Sequence, residues 1–261
     1  MSYENIKYEI KNQTAIITIN RPQVFNALNK EAKFEIINAI NESNQNLNVR
    51  SIILSAEGKA FSSGQDLNDR NISPDHGPID LGNTLETEWI PLINSIINSE
   101  KLVIAAINGV CAGAGLSVAL ACDLKVTAPG VRFITGFTQI ALTPDAGLSY
   151  MLVRQMGYAR ALEFCITGKP LSSEQMLELG LVNYVTDQYL EKAQELALLV
   201  NTLAPISVKS VKKNLQFALD REIKDVLENE KQTQRMLGFT QDYKEGVKAF
   251  LEKRKPNFTG Q

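Results

Sequence analysis

The spacing of hydrophobic positions changes along this chain, and each change marks an element. Thr14 to Asn20 (Thr-Ala-Ile-Ile-Thr-Ile-Asn) is a β-branched run closed by Arg21-Pro22, which predicts a strand ending in a turn. Asn29 then stands as the N-cap of a helix through about Ser43, with Phe34, Ile37 and Ile40 on one face. Val49 to Leu54 and Leu102 to Ile107 read as strands, and Leu124 to Thr127, Val131 to Thr135 and Leu181 to Val185 as shorter ones. Residues 66–84 gather Asn, Asp, Pro and Gly and read as a loop, followed by a helix from Leu85 to Asn98 that Pro91 could kink. Helical spacing returns up to Ala121, then over 146–156, 159–167 and 172–179. From Gln188 onward it is almost continuous, over 188–202, 206–219, 222–237 and 241–253. Strands alternating with helices, then helices alone, predict an α/β core over residues 1–200 and an α-helical region over 201–261.

Composition sets limits on this picture. The 261 residues are 44% hydrophobic and 21% charged, which suits one substantial globular core without a disorder signature. A net charge of −2 gives no reason to expect a nucleic-acid surface, and Lys253-Arg254-Lys255 reads as the solvated end of a helix. Cys111, Cys122 and Cys165 sit in apolar surroundings, show no zinc spacing and read as reduced core residues of a cytoplasmic protein. The N-terminus lacks a signal-peptide layout and no apolar run reaches membrane-spanning length. His76, the single histidine, lies in the 66–84 loop and is expected to be exposed without a role.

Two glycine-containing segments carry the candidate chemistry. Ser62-Ser63-Gly64-Gln65-Asp66 follows the strand Ile52-Ile53-Leu54, and Asn108-Gly109-Val110-Cys111-Ala112-Gly113-Ala114-Gly115 follows Leu102 to Ile107. Small residues where a strand gives way to a helix admit a ligand to the backbone, and helix-opening N–H groups are donors without intrahelical acceptors. Two such donors converging on one carbonyl oxygen would make an oxyanion hole for an enolate. The bland alternative is tight strand-to-helix packing. A dinucleotide site fits poorly, because Gly109, Gly113 and Gly115 are not spaced as G-x-G-x-x-G.

The ordered set of motifs resembles the crotonase (enoyl-CoA hydratase/isomerase) superfamily nearly end to end. It runs through Asn20-Arg21-Pro22, Asn26-Ala27-Leu28, Ala60 to Leu67, Ala106 to Gly115, Ala121-Cys122-Asp123-Leu124, Thr143-Pro144-Asp145-Ala146-Gly147, Gly168 to Ser172 and Phe250 to Pro256. The resemblance implies a spiral of β-β-α units, acyl-CoA thioester substrates, no separate cofactor or metal, and a homotrimer or dimer of trimers assembled through the helical C-terminal region. By position it implies that Ser63 and Ala114 supply the oxyanion amides, and that Gly64, Gln65, Asp66, Gly113 and Phe137 line the acyl-CoA. Val24, Phe25 and Ala27 would lie near its adenine or pantetheine end, and Lys253 would meet nucleotide phosphates from a neighbouring subunit.

The two glutamates of hydrating relatives fall at Ser117 and Phe137, neither of which can act as a general base. Asp145 remains, where isomerase branches of the family also place a carboxylate; its other reading is an N-cap of the helix from Ala146. An apolar wall of Phe137 and Leu142 would raise its pKa, and a helix N-terminus would oppose the rise. Asp66 is expected to order its loop, Asp123 to satisfy backbone amides, and Tyr150 to be a core residue. The expectation is an enoyl-CoA isomerase with Asp145 as proton shuttle. The alternatives are hydration through a non-standard site, ring-opening of an epoxide-CoA, and acyl-CoA binding without catalysis.

Overall fold

Ten strands among the described residues form two sheets: β1 (Ile6–Lys11), β2 (Thr14–Ile19), β3 (Ser51–Ala56), β4 (Ala60–Ser62), β5 (Leu102–Ile107), β6 (Val110–Ala112), β7 (Leu124–Thr127), β8 (Arg132–Ile134), β9 (Leu171–Ser172) and β10 (Tyr184–Val185). The computed structural model describes residues 3–69 and 79–261. The larger sheet runs β1-β2-β3-β5-β7-β10 and the smaller β4-β6-β8-β9. Only β1 and β9 pair antiparallel with their neighbours.

The long parallel strands are apolar because both their faces are covered. On one side Ile16, Ile53, Ile104 and Val126 meet Ala193 and Ala197 of the helix Tyr189–Asn201. On the other, Ile17, Ile52 and Leu54 join the main core with Ile36 and Ile40 of the helix Lys30–Gln45 and Leu92 and Ile96 of the helix Ile90–Ile97. Each of β3, β5 and β7 runs directly into a short strand of the smaller sheet, giving the β-β-α spiral that the resemblance implied.

Several elements differ from the sequence reading. β1, β4, β6 and β9 were not anticipated; β4, β6 and β9 have three, three and two residues, too few to show a period, whereas the alternation Ile6-Lys7-Tyr8-Glu9-Ile10-Lys11 of β1 was a strand signal that went unread. Asn29 does cap its helix, accepting the Ala32 amide at 3.0 Å, but the buried face is Ala32, Lys33, Ile36, Ala39 and Ile40, with Phe34 exposed. Helix begins at Leu81 rather than Leu85, capped by Asp80, and passes through a wide π turn over Leu85–Trp89 before Ile90–Ile97. The expected strand from Leu181 shrinks to Tyr184–Val185. His76 lies outside the described residues.

Candidate active site

β4 and β6 end side by side, and the candidate site hangs from those ends. They pair in parallel, with Ala60 opposite Val110 and Ser62 opposite Cys111. The chain then turns into Ser63-Gly64-Gln65-Asp66 on one side and Gly113-Ala114-Gly115 on the other, and the turns touch. A Cβ on Gly115 would lie 2.6 Å from the Ser62 carbonyl oxygen. One on Gly64, whose φ is +93°, would lie 3.0 Å from the Ala112 carbonyl oxygen and 3.1 Å from the Ala114 nitrogen. Only glycine fits either place. Ala114 opens the helix Ala114–Ala121, so its amide has no acceptor inside that helix. Gly113 is anchored to the third strand of this sheet, donating to the Ile134 carbonyl oxygen at 2.9 Å.

The Ser63 amide is engaged. It donates to the Phe25 carbonyl oxygen at 3.0 Å, and the Ser63 hydroxyl approaches the Val24 carbonyl oxygen at 3.4 Å. Phe25 is 60% exposed, and Phe25 and Asn26 both take left-handed backbone, with φ of 52° and 55°. Asn26 is buried behind them; its side-chain amide donates to Glu57 and Ala60 carbonyl oxygens at 2.8 and 2.7 Å. Ala27 is buried, and its carbonyl accepts from the Arg21 guanidinium. The Asp66 carboxylate is held by that guanidinium at 2.9 Å and by the Asn68 amide at 3.1 Å, which orders the loop.

Asp145 is half-buried beside the helix that Ala114 opens. The Ser117 hydroxyl, one turn along that helix, donates to the Asp145 carbonyl oxygen at 3.2 Å. The alternative reading of Asp145 as an N-cap is overturned. Ala146 and Gly147 take left-handed backbone, with φ of 49° and 79°, and the helix starts at Leu148 with Gly147 in the cap position. The Asp145 backbone carbonyl, not its side chain, accepts the Leu148 amide at 3.0 Å. A Cβ on Gly147 would meet Ile93 at 3.9 Å, so this turn rests against the helix Ile90–Ile97. Phe137 is buried.

Other candidates have separate places. Asp123 accepts the Val103 amide and the Lys212 ammonium, both at 2.8 Å, and burial pushes its carboxyl above the usual range despite Lys212. Tyr150 is exposed rather than in the core, its hydroxyl donating to Asp220 at 3.2 Å. Lys253 is exposed just past the last helix, with φ of 54°. All three cysteines are free; burial raises the Cys111 and Cys165 thiols and pushes Cys122 up to about 12. Among the described residues no cluster of three His, Cys, Asp or Glu side chains could hold a metal ion, and no helix is long and apolar enough to cross a membrane.

Sequence reasoning missed Lys33, Glu88 and Trp89. Lys33 and Trp89 both donate to the Gln65 side-chain oxygen, next to the Ser63-Gly64 turn, and Glu88 pairs with Lys33. The available signal was a lysine at position i relative to Ile36 and Ile40 at i+3 and i+7, on an otherwise apolar helix face.

A two-sheet β-β-α spiral with two glycine-bordered turns meeting at its parallel strand ends defines a crotonase-type fold. An enoyl-CoA hydratase structure from Polaromonas sp. JS666 matches it with a TM-score of 0.92 at 32% identity, covering 97% of this chain and 99% of that one. The chain belongs to the enoyl-CoA hydratase/isomerase family, whose pattern it matches over residues 9–261. Among its relatives, the 1,2-epoxyphenylacetyl-CoA isomerase of Escherichia coli (strain K12) is 35% identical over 259 residues, 98% of this chain and 99% of the relative. A protein of Rhodobacter capsulatus named "Probable enoyl-CoA hydratase" is 38% identical over 264 residues, the full length of both.

Proposed function

We propose that this enzyme isomerises an enoyl-CoA thioester, moving a double bond from the β,γ to the α,β position with Asp145 as the single proton shuttle. The observation that carries this reading is the bond from Ser117 to the Asp145 backbone, which sets this carboxylate's residue beside the helix opened by Ala114. Ser117 and Phe137 occupy the positions where the family resemblance puts a hydratase's glutamates, and neither side chain can activate water. The rival carboxylates are bound elsewhere, Asp66 by Arg21 and Asp123 by Lys212.

In the proposed cycle the Asp145 carboxylate takes a proton from the α carbon. The electron pair moves into the thioester, whose oxygen becomes an enolate oxyanion facing the Ser63 and Ala114 amides. The same carboxyl then returns the proton to the γ carbon, leaving the double bond conjugated with the thioester. Each preorganised donor to such an oxyanion contributes about 3–4 kcal/mol. To use the Ser63 amide, the thioester oxygen must take it over from the Phe25 carbonyl.

The test is conversion of a 3-enoyl-CoA to the conjugated 2-enoyl-CoA. Asp145→Asn is expected to lower the rate by about 100- to 10,000-fold while leaving acyl-CoA affinity within a few-fold. An unimpaired Asp145→Asn enzyme would overturn the assignment, and label from heavy-oxygen water in the product would favour hydration, the chemistry named for some relatives. Assembly is part of the same reading. Phe239 and Phe250 are 79% and 82% exposed, and with Leu215, Leu219 and Leu227 they make the C-terminal helices apolar outside. Further copies of the chain, in a trimer or dimer of trimers, would cover them.

A further inference from the structure

A buried lysine holds the loop that carries Ser63. Lys33 is fully inaccessible, yet its ammonium lies 2.9 Å from the Gln65 side-chain oxygen, 2.5 Å from the Glu88 carboxylate and 4.6 Å from the centre of the Trp89 ring. The Trp89 indole N–H donates to the same Gln65 oxygen at 2.9 Å, and the Gln65 side-chain N–H donates to the Asp66 carbonyl oxygen at 3.0 Å. Gln65 therefore has one orientation, fixed by two donors on its oxygen and one acceptor on its nitrogen. Its backbone is equally tied: the Gly64 carbonyl accepts the Leu28 amide at 2.7 Å, and the Asp66 amide donates to Leu28 at 3.1 Å.

Stability is a poor reason for this arrangement. A buried ion pair is often no better for folding than apolar residues of the same volume. What the pair does supply is geometry. Lys33 comes from the helix Lys30–Gln45, and Glu88 and Trp89 from the π turn Leu85–Trp89, a type of distortion frequently found at functional sites. Both elements converge on the residue that follows Ser63-Gly64.

We propose that Lys33 is a positioning residue for catalysis, acting through Gln65 to hold the Ser63 amide where the thioester oxygen needs it. This rests on the oxyanion role of Ser63 given above, and applies equally to isomerisation and hydration. A displacement of about 1 Å in a reacting group can cost on the order of 100-fold in rate.

Lys33→Met alone would strand Glu88, so the decisive variant is Lys33→Met with Glu88→Gln, which removes both charges. It is expected to melt close to the parent, to lose about 10-fold or more in kcat on an enoyl-CoA, and to change KM less than about threefold. Gln65→Leu should lose a similar factor, and combining it with the pair should add little, because the three act as one unit. Trp89 is the single tryptophan of the chain, so its emission should shift in both variants without any substrate. Parent-like kcat in the charge-free pair, or losses that multiply with Gln65→Leu, would overturn the proposal. If the parent turns over no enoyl-CoA, the functional reading fails by itself. Amide exchange at residues 63–66 then decides the positioning role: acceleration by about 10-fold or more in the pair supports it, and unchanged exchange overturns it.

Discussion

The backbone amide of Ser63 donates to the backbone carbonyl of Phe25 at 3.0 Å, so one of the two candidate oxyanion donors has an internal acceptor. Phe25 and Asn26 hold that carbonyl in place from consecutive left-handed conformations, each of which costs a non-glycine residue roughly 1–2 kcal/mol. A thioester oxygen would replace the carbonyl. Saturation with a non-reacting acyl-CoA is expected to move the Ser63 amide nitrogen and proton resonances more than those of flanking loop residues. A Ser63 amide that does not respond would remove it from the site.

Glycine at 115 and 64 sets the distance between the two turns. Gly115→Ala would drive a methyl to 2.6 Å from the Ser62 carbonyl oxygen, a backbone atom that cannot step aside. A loss of roughly 1–3 kcal/mol in chemical denaturation is expected, with a marked fall in activity because Ala114 must move. Gly180→Ala is the control. It has φ of +72° but open space around it, so it should cost about 1–2 kcal/mol and leave kcat unchanged.

The ion pair between Asp123 and Lys212 fastens the helix Pro205–Ala218 to the start of β5. Both side chains are nearly inaccessible, and Asp123 also takes the Val103 amide. Lys212→Met would strand a buried carboxylate and should destabilise the protein by about 3–5 kcal/mol. Adding Asp123→Asn should recover part of that loss, giving clear coupling in a double-mutant cycle read by urea unfolding.

Buried thiols make stability fall at alkaline pH, and Cys122, which burial pushes from the thiol value of 9.0 up to about 12, contributes alongside Cys111 and Cys165, whose thiols burial also raises. The unfolded chain releases the Cys122 proton on passing that lower value while the folded protein keeps it. Stability is therefore whole below the unfolded pKa and falls as pH rises towards the folded one. The contribution reaches about 1.4 kcal/mol per pH unit. Cys122→Ala should flatten the alkaline slope of unfolding free energy by up to that amount, and a slope unchanged by the substitution would exclude this thiol as a contributor.

Local signals in the sequence were enough for the long elements. β2 was legible as a β-branched run and the helix Lys30–Gln45 from its asparagine cap, because these depend on neighbours within a few residues. The second glycine segment was legible as a strand-to-helix turn for the same reason, whereas the first runs from β4 into a short 3-10 turn over Leu67–Asp69. β4 and β6 were not legible, since three residues carry no measurable period and these strands exist through pairing with each other.

The sequence by itself determined which residue types were available for the chemistry: two glycine-bordered amides, Asp145, and Ser117 and Phe137 at the positions where the family resemblance puts a hydratase's glutamates. It also determined the α/β order from which the spiral is built. Tertiary structure alone decided that Gly115 abuts Ser62, that left-handed residues separate Asp145 from its helix, and that Phe25 lies on the Ser63 amide. It alone made Lys33 a buried charge, because Gln65 and Glu88 lie 32 and 55 residues away along the chain. Hydrophobic period and capping act over one or two turns, whereas steric contact and paired burial act through space.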